Sequence, residues 1–332
     1  MTKDFISRRR LMAGGLAAAA SVPLLEGVSR SPTLAAAPPR IWRNLADLAE
    51  EAQRLGLSVP RMSATASAAG ATYLETLPAI VDLMDSIESS AADARGVSSA
   101  EVDALLERAS ELLRSARSEE RVPRDIPEAG AAPVTAPAFE KIADDYRKLF
   151  ATCKINEASR NDVAWYISKV TDPSRRKAYE QVTEETCVPW YFVAIIHGME
   201  CSFDNKAHLH NGDSLKGRTV QVPAGRPDPW NPPSDWVSSA VDAMKVDKFH
   251  EKADWDLAKM LYRWEAYNGW RSRVLHSINT PYLWSFSNHY AKGKFVADGV
   301  WDGNAVSKQC GAAVMLKALV EAGTVSPPGM TI

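Results

Sequence analysis

The sequence predicts a mainly α-helical protein of two parts, an N-terminal helical module followed by a larger helical domain with a small β or irregular insert. Three observations predict it. Apolar residues recur at spacings of three and four through most of the chain, the period of a helix buried on one side. One stretch, 121–137, carries four prolines among Gly and Ala and cannot pair regularly. Only Thr219–Val222 reads as a β-branched run, inside a Pro- and Gly-rich segment.

Taken from the start, Ser7-Arg8-Arg9-Arg10-Leu11-Met12 precedes a weakly apolar, Gly- and Ala-rich stretch and then Ala35-Ala36-Ala37. Basic, apolar and small-residue regions in that order are predicted to be a signal peptide over 1–37. The consecutive arginines resemble the twin-arginine export signal, which carries folded proteins across the inner membrane. A helical hairpin or bundle is predicted for 38–120. Its stripes are Leu45, Leu48, Ala52 and Leu55; Leu74, Leu77, Val81, Met84 and Ile87; and Val102, Leu105, Leu106, Ala109, Leu112 and Leu113. Ser98 and Glu101 form a capping box at the start of the last helix. Ten basic and sixteen acidic side chains lie between Arg40 and Glu128, with no catalytic constellation among them, so this part reads as a spacer.

The linker, 121–138, places a domain boundary before 139–332, and few contacts are expected across it, so that the second domain should fold alone. Helical patterns there cover Phe139–Phe150, Asn161–Lys169, Arg176–Glu184, the strongly apolar Trp190–Met199, Ser234–Met244, Trp255–Val274 and Ser307–Glu321. His208 to Pro233 is the polar insert.

Composition excludes several classes. A formal net charge of −2 offers no general basic face for nucleic acid. No stretch after the leader reaches the ~18 apolar residues that span a bilayer, so no stable membrane span is expected once the leader is removed. The expected location is the periplasm or beyond. There Cys153, Cys187, Cys201 and Cys310 would sit where disulfides persist, with three possible pairings of two bridges.

The strongest chemical signal is Glu200. Trp190-Tyr191-Phe192-Val193-Ala194-Ile195-Ile196 is apolar nearly all round, so its helix is predicted to lie inside the domain, with Pro189 suited to its first turn. Glu200 comes near the C-terminal end, where the helix dipole and apolar neighbours both disfavour a carboxylate relative to the acid. Cleaving a glycosidic bond needs such a proton donor, because the sugar oxygen leaves poorly until protonated. The commonest fate of a helix-end Glu is plain solvation, and the apolar run is what argues against it here.

Val193-Ala194-Ile195-Ile196-His197-Gly198-Met199-Glu200-Cys201-Ser202-Phe203 resembles the catalytic-helix segment of goose-type lysozymes and soluble lytic transglycosylases. The runs His208-Leu209-His210-Asn211-Gly212-Asp213, Arg218 to Pro227, Tyr282 to Tyr290 and Ser307 to Ala313 are similar to a bacterial branch of lysozyme family proteins. The resemblance spans roughly 139–323. It implies an α+β lysozyme-like fold, a peptidoglycan glycan substrate, an N-acetylmuramidase or lytic transglycosylase activity, and no cofactor or metal. One departure is that Cys201 follows Glu200 where the relatives commonly place Ser, and the hydroxyl comes one position later, at Ser202.

Asp213, after the Asn211-Gly212 turn signal, is the candidate second catalytic carboxylate, able to orient water if the enzyme inverts. Asp235 reads as a helix cap, and Asp242 as a weaker candidate. His210, Asn211, Tyr267, Asn268, Trp284, Ser287 and Tyr290 are expected to line a glycan groove, since loop-borne aromatics and amides suit sugars, whereas Tyr262 and Trp264 read as core. The rival reading is a zinc-dependent wall hydrolase built on His197, His208 and His210, although no His-Glu-x-x-His motif is present. A third reading is a non-catalytic protein that holds the glycan without cutting it.

Overall fold

In a computed structural model, the structure describes residues 39–62, 73–94, 96–120, 134–221, 223–230, 235–297 and 299–330. The segment 1–37, read above as an export signal, and most of the expected linker lie outside the described residues. The protein is mainly helical, with twelve α-helices and one two-stranded sheet among the described residues. None of these helices is long and apolar enough to cross a membrane.

Helices α1 (Pro39–Arg54), α2 (Tyr73–Ala91) and α3 (Ser99–Glu120) bury the three predicted stripes against one another, except Leu74, which packs against the core of the later helices. Leu45, Leu77, Ile80, Ile87 and Leu113 are fully enclosed there. The capping box forms as read: the backbone N–H of Glu101 donates to the Ser98 hydroxyl (3.3 Å), and that of Ser98 to the Glu101 carboxylate (2.9 Å). Individual polar contacts join this part to the rest of the chain. Asp85 of α2 takes Arg175 through both guanidinium ends, one at 3.2 Å, and Lys169 at 2.8 Å. Ser110 of α3 donates to Asp204 at 2.5 Å, and both are buried. Arg175 is only 5% exposed, so this part supplies the counter-charge a buried guanidinium needs.

The second core is built from α4 (Phe139–Ala151), α5 (Arg160–Val170), α6 (Pro173–Thr186), α7 (Trp190–Cys201), α8 (Trp236–Val246), α9 (Leu257–Asn268), α10 (Arg271–His276), α11 (Pro281–Trp284) and α12 (Ala312–Glu321). At its centre lies α7, touched by α5, α6 and α12. Phe192 to Ile196 have no exposed surface, and Phe192 stacks on Trp264 at 4.9 Å. Each such side chain taken from water contributes about 1.5–3 kcal/mol.

Three predicted elements differ. Trp255–Val274 is two helices, because Gly269 turns the chain at φ 121 between α9 and α10. The helix expected from Ser307 starts only at Ala312, since Ser307 and Gly311 spend their N–H groups on Tyr290 and the Ser285 carbonyl. The β element is not at Thr219–Val222, of which Val222 lies outside the described residues. There the Asp213 carboxylate takes the N–H groups of Val220 (2.8 Å) and Gln221 (2.9 Å), which a strand would need for its ladder. The strands are instead β1 (Lys294–Ala297) and β2 (Val300–Asp302), an antiparallel hairpin. The Asp-Gly pair at 298–299 was their signal in the sequence.

All four cysteines are free thiols, contrary to the two bridges contemplated. Cys153, Cys201 and Cys310 are buried and act as small apolar side chains. Burial pushes the Cys153 thiol up to about 11.

Candidate functional site

The last turn of α7 carries Glu200 and ends abruptly. Ser202 (φ 53) and Phe203 (φ 64) both take left-handed backbone, at roughly 1–2 kcal/mol apiece for residues with a Cβ. Their N–H groups return to the carbonyls of Gly198 (3.2 Å) and His197 (3.3 Å), which closes the helix. Gly198 is required by this fold-back, because a Cβ there would lie 2.6 Å from the Phe203 ring. Strain of this kind is held where the surrounding packing enforces it, and it turns the end of α7 toward the segment that follows.

Glu200 is 8% exposed. Its Oε1 accepts from the Tyr282 hydroxyl at 3.1 Å, and Tyr282, at the start of α11, is itself buried. The carbonyl of neighbouring Met199 accepts from the Gln309 side-chain amide at 2.6 Å. The Tyr282 hydroxyl thus meets the Glu200 carboxyl, and the neighbouring Cys201 donates its thiol to the His208 carbonyl (3.3 Å). Neither Tyr282 nor Gln309 could be singled out beforehand. Both lie in the runs that carry the family resemblance, yet separations of 82 and 110 residues leave no spacing signal.

The loop 208–213 folds back over this helix end, with the His208 N–H donating to the Asp213 carbonyl at 2.7 Å. Gly212 (φ +79) lies so close that a Cβ on it would be 3.0 Å from the Glu200 carbonyl oxygen. Asp213 and Glu200 therefore belong to one region. The Asp213 Oδ2 takes the Asn211 amide (3.0 Å) besides the two backbone N–H groups, a set that pins the loop.

The other candidates divide. Tyr267 donates to the Leu209 carbonyl at 3.1 Å and so supports the loop from α9, at whose end Asn268 is buried. His210 is fully buried against Asp242 (2.7 Å), and Arg226 also grips Asp242. Burial opposes the Asp242 charge, but the hydrogen bonds from His210 and Arg226 outweigh it and hold the carboxyl below its usual range. Asn211 is buried by its bonds within the loop, and Tyr290 bridges the Gly293 carbonyl and the Ser307 N–H. Trp284 and Ser287 have no exposed surface, and Ser287 donates to the Trp284 carbonyl (2.7 Å). A sugar ring has no access to either of them in this conformation. Asp235 caps α8 by accepting from the Ser238 N–H at 2.7 Å, as read, and Trp264 is core.

The three histidines of the zinc reading do not converge. His197 contacts the Tyr179 hydroxyl (3.0 Å) and the Asp204 carbonyl (3.2 Å), and His208 contacts the Ser239 hydroxyl and the Gly217 carbonyl, both at 2.7 Å. Among the described residues no group of three or more His, Cys, Asp or Glu is placed to hold a metal ion.

Burial lowers His197 from 6.5 to about 3. The unfolded chain then takes up this proton first as the pH falls, so the stability is complete above pH 6.5 and is lost on the way down to about 3. Between pH 6.5 and 5 the expected loss is about 2 kcal/mol from this one group. Urea midpoints across that window should fall for the wild type and fall less steeply for His197→Gln. Equal slopes would show that another group governs acid stability.

Compared with protein-family models, curated proteins and solved structures, the chain has no match in any of the three.

Proposed function

We propose that the protein cleaves the glycan strands of peptidoglycan, as an N-acetylmuramidase or lytic transglycosylase of lysozyme-like fold, with Glu200 as its general acid. The observation that carries this reading is the Glu200 carboxyl, sequestered at the end of an internal helix and oriented by the Tyr282 hydroxyl. A carboxyl fixed at the end of a buried helix and oriented by a hydroxyl is placed to hand a proton to a glycosidic oxygen seated beside it. The folded-back loop 208–213 supplies the adjoining wall, with Asp213 as its anchor and as the candidate second carboxylate. The four sequence runs that resemble lysozyme family proteins support the same reading. On this proposal the chain is exported by its twin-arginine-type leader to the periplasm or beyond, where its substrate lies.

The test is the product. Purified cell wall incubated with the mature protein should release muropeptides, identified by mass. Hydrolysis leaves a reducing end, whereas transglycosylation leaves an internal anhydro ring, 18 mass units lighter by the water not added. Binding to wall without any released fragment would overturn the proposal in favour of a glycan-holding protein.

A further inference from the structure

Helix α3 is apolar on one face and polar on another, and each face has its own neighbour. Val102, Leu105, Leu106, Ala109 and Leu113 pack into the first core with α1 and α2. Asp103, Glu107, Ser110, Arg114 and Arg117 recur at alternating spacings of four and three, which sets them in one row along the helix. That row meets the segment 204–216, the chain that leaves the Glu200 end of α7. Lys206 Nζ lies 2.9 Å from the Asp103 carboxylate and Lys216 Nζ 3.3 Å from that of Glu107, to which Ser214 also donates its hydroxyl at 3.4 Å. Ser110 donates to Asp204 at 2.5 Å, while its own oxygen accepts from Arg114 at 2.5 Å. Arg117 lies beside Gly212, where a Cβ would be 2.7 Å from its Nη1. Each member of the row therefore touches this one segment or supports a neighbour that does.

These contacts are unequal. Exposed ion pairs hold little, and Asp103 and Lys216 are both well exposed. Ser110 has no exposed surface and Asp204 is 1% exposed, so their bond forms where water does not replace it. Burial pushes the Asp204 carboxyl up, against the hydrogen bonds from Ser110 and the Lys206 N–H. Asp204 is in turn joined to the turn that presents Glu200. Its N–H donates to the Cys201 carbonyl at 3.1 Å, and its carbonyl meets His197 Nε2 at 3.2 Å. We propose that Ser110 is a positioning residue, which through Asp204 fixes the segment 204–216 and the Glu200 end of α7. This rests on the proposed function for what Glu200 does, and goes beyond it by making the N-terminal helices part of the catalytic unit instead of a spacer.

The test is Ser110→Ala in the full mature chain, read by amide hydrogen exchange and by kinetics. Exchange needs no substrate, and it should quicken by roughly 10-fold within 204–216 while α9, in the second core, keeps its wild-type rates. On soluble peptidoglycan fragments kcat should fall by roughly 10-fold with KM within about twofold, because displacing a catalytic group costs turnover more than binding. A merely structural serine would instead quicken exchange in both cores alike. Unchanged exchange in 204–216, equal quickening in α9, or an unchanged kcat overturns the inference. A wild type that cuts no glycan defeats the proposed function alone, since exchange still decides whether Ser110 fixes the segment. Should Ser110→Ala not fold, the near-isosteric Ser110→Cys, whose thiol is a weak donor, carries the same two readouts with the same deciding outcomes.

Discussion

Glu200→Gln is expected to leave the chain folded and to slow release of glycan fragments from purified cell wall by about 10²–10⁴, the usual cost of removing a general acid. Gln preserves the shape of the side chain and can still accept from the Tyr282 hydroxyl, now 3.1 Å from Glu200 Oε1, so packing at the end of α7 should survive. What disappears is the transferable proton. Binding of uncut glycan and the melting temperature should therefore stay near those of the wild type, while turnover collapses. A chelator added to the wild type should change little, which separates the acid from the rival zinc reading. Full activity in Glu200→Gln would end the assignment, as would abolition of activity by chelation.

The largest expected loss of stability is at Glu265, a charge in the wall of the same core. Glu265 has no exposed surface and accepts from Arg273 Nε (2.9 Å) and Nη2 (2.8 Å) and from the buried Tyr146 hydroxyl (2.5 Å), which ties α9 to α4 and to α10. The carboxylate beside Arg273 raises that guanidinium against the burial that opposes its charge. Glu265→Ala leaves the Arg273 cation and the Tyr146 hydroxyl without their acceptor and opens a cavity. Breaking a buried pair in this way costs about 3–5 kcal/mol, and the melting temperature should fall on the order of 10 °C. Replacing both members, as Glu265→Leu with Arg273→Met, should recover much of it, because the desolvation cost disappears with the charges. A Glu265→Ala loss below about 1 kcal/mol would mean that water reaches Arg273 and substitutes for the carboxylate.

Much of the helical architecture was legible in the sequence, because its determinants are local. The stripes of α1 to α3, the apolar run of α7, the Ser98–Glu101 capping box and the Asp235 cap each lie within a few turns of chain, and the residues that satisfy them are near neighbours. The same locality placed Glu200 at the end of a buried helix. What surrounds that carboxyl depended on contacts between distant segments. Trp284 and Tyr282 are two residues apart in one aromatic run, yet one disappears into the core and the other reaches Glu200. Periodicity assigns a residue to a helix and a face, but a partner 82 positions away imposes no spacing on either sequence. The histidines show the same division: residue type alone suggested a metal cluster, and the fold sends their rings to Tyr179, Ser239 and Asp242 instead. So does the N-terminal part, whose own stripes specify a bundle, whereas the docking of Asp85 on Arg175 and the approach of Arg117 to Gly212 follow only from how the two cores meet. Local chemistry determines which segments become helices, and tertiary packing decides which polar groups share a buried space, because burial makes each of them require a partner.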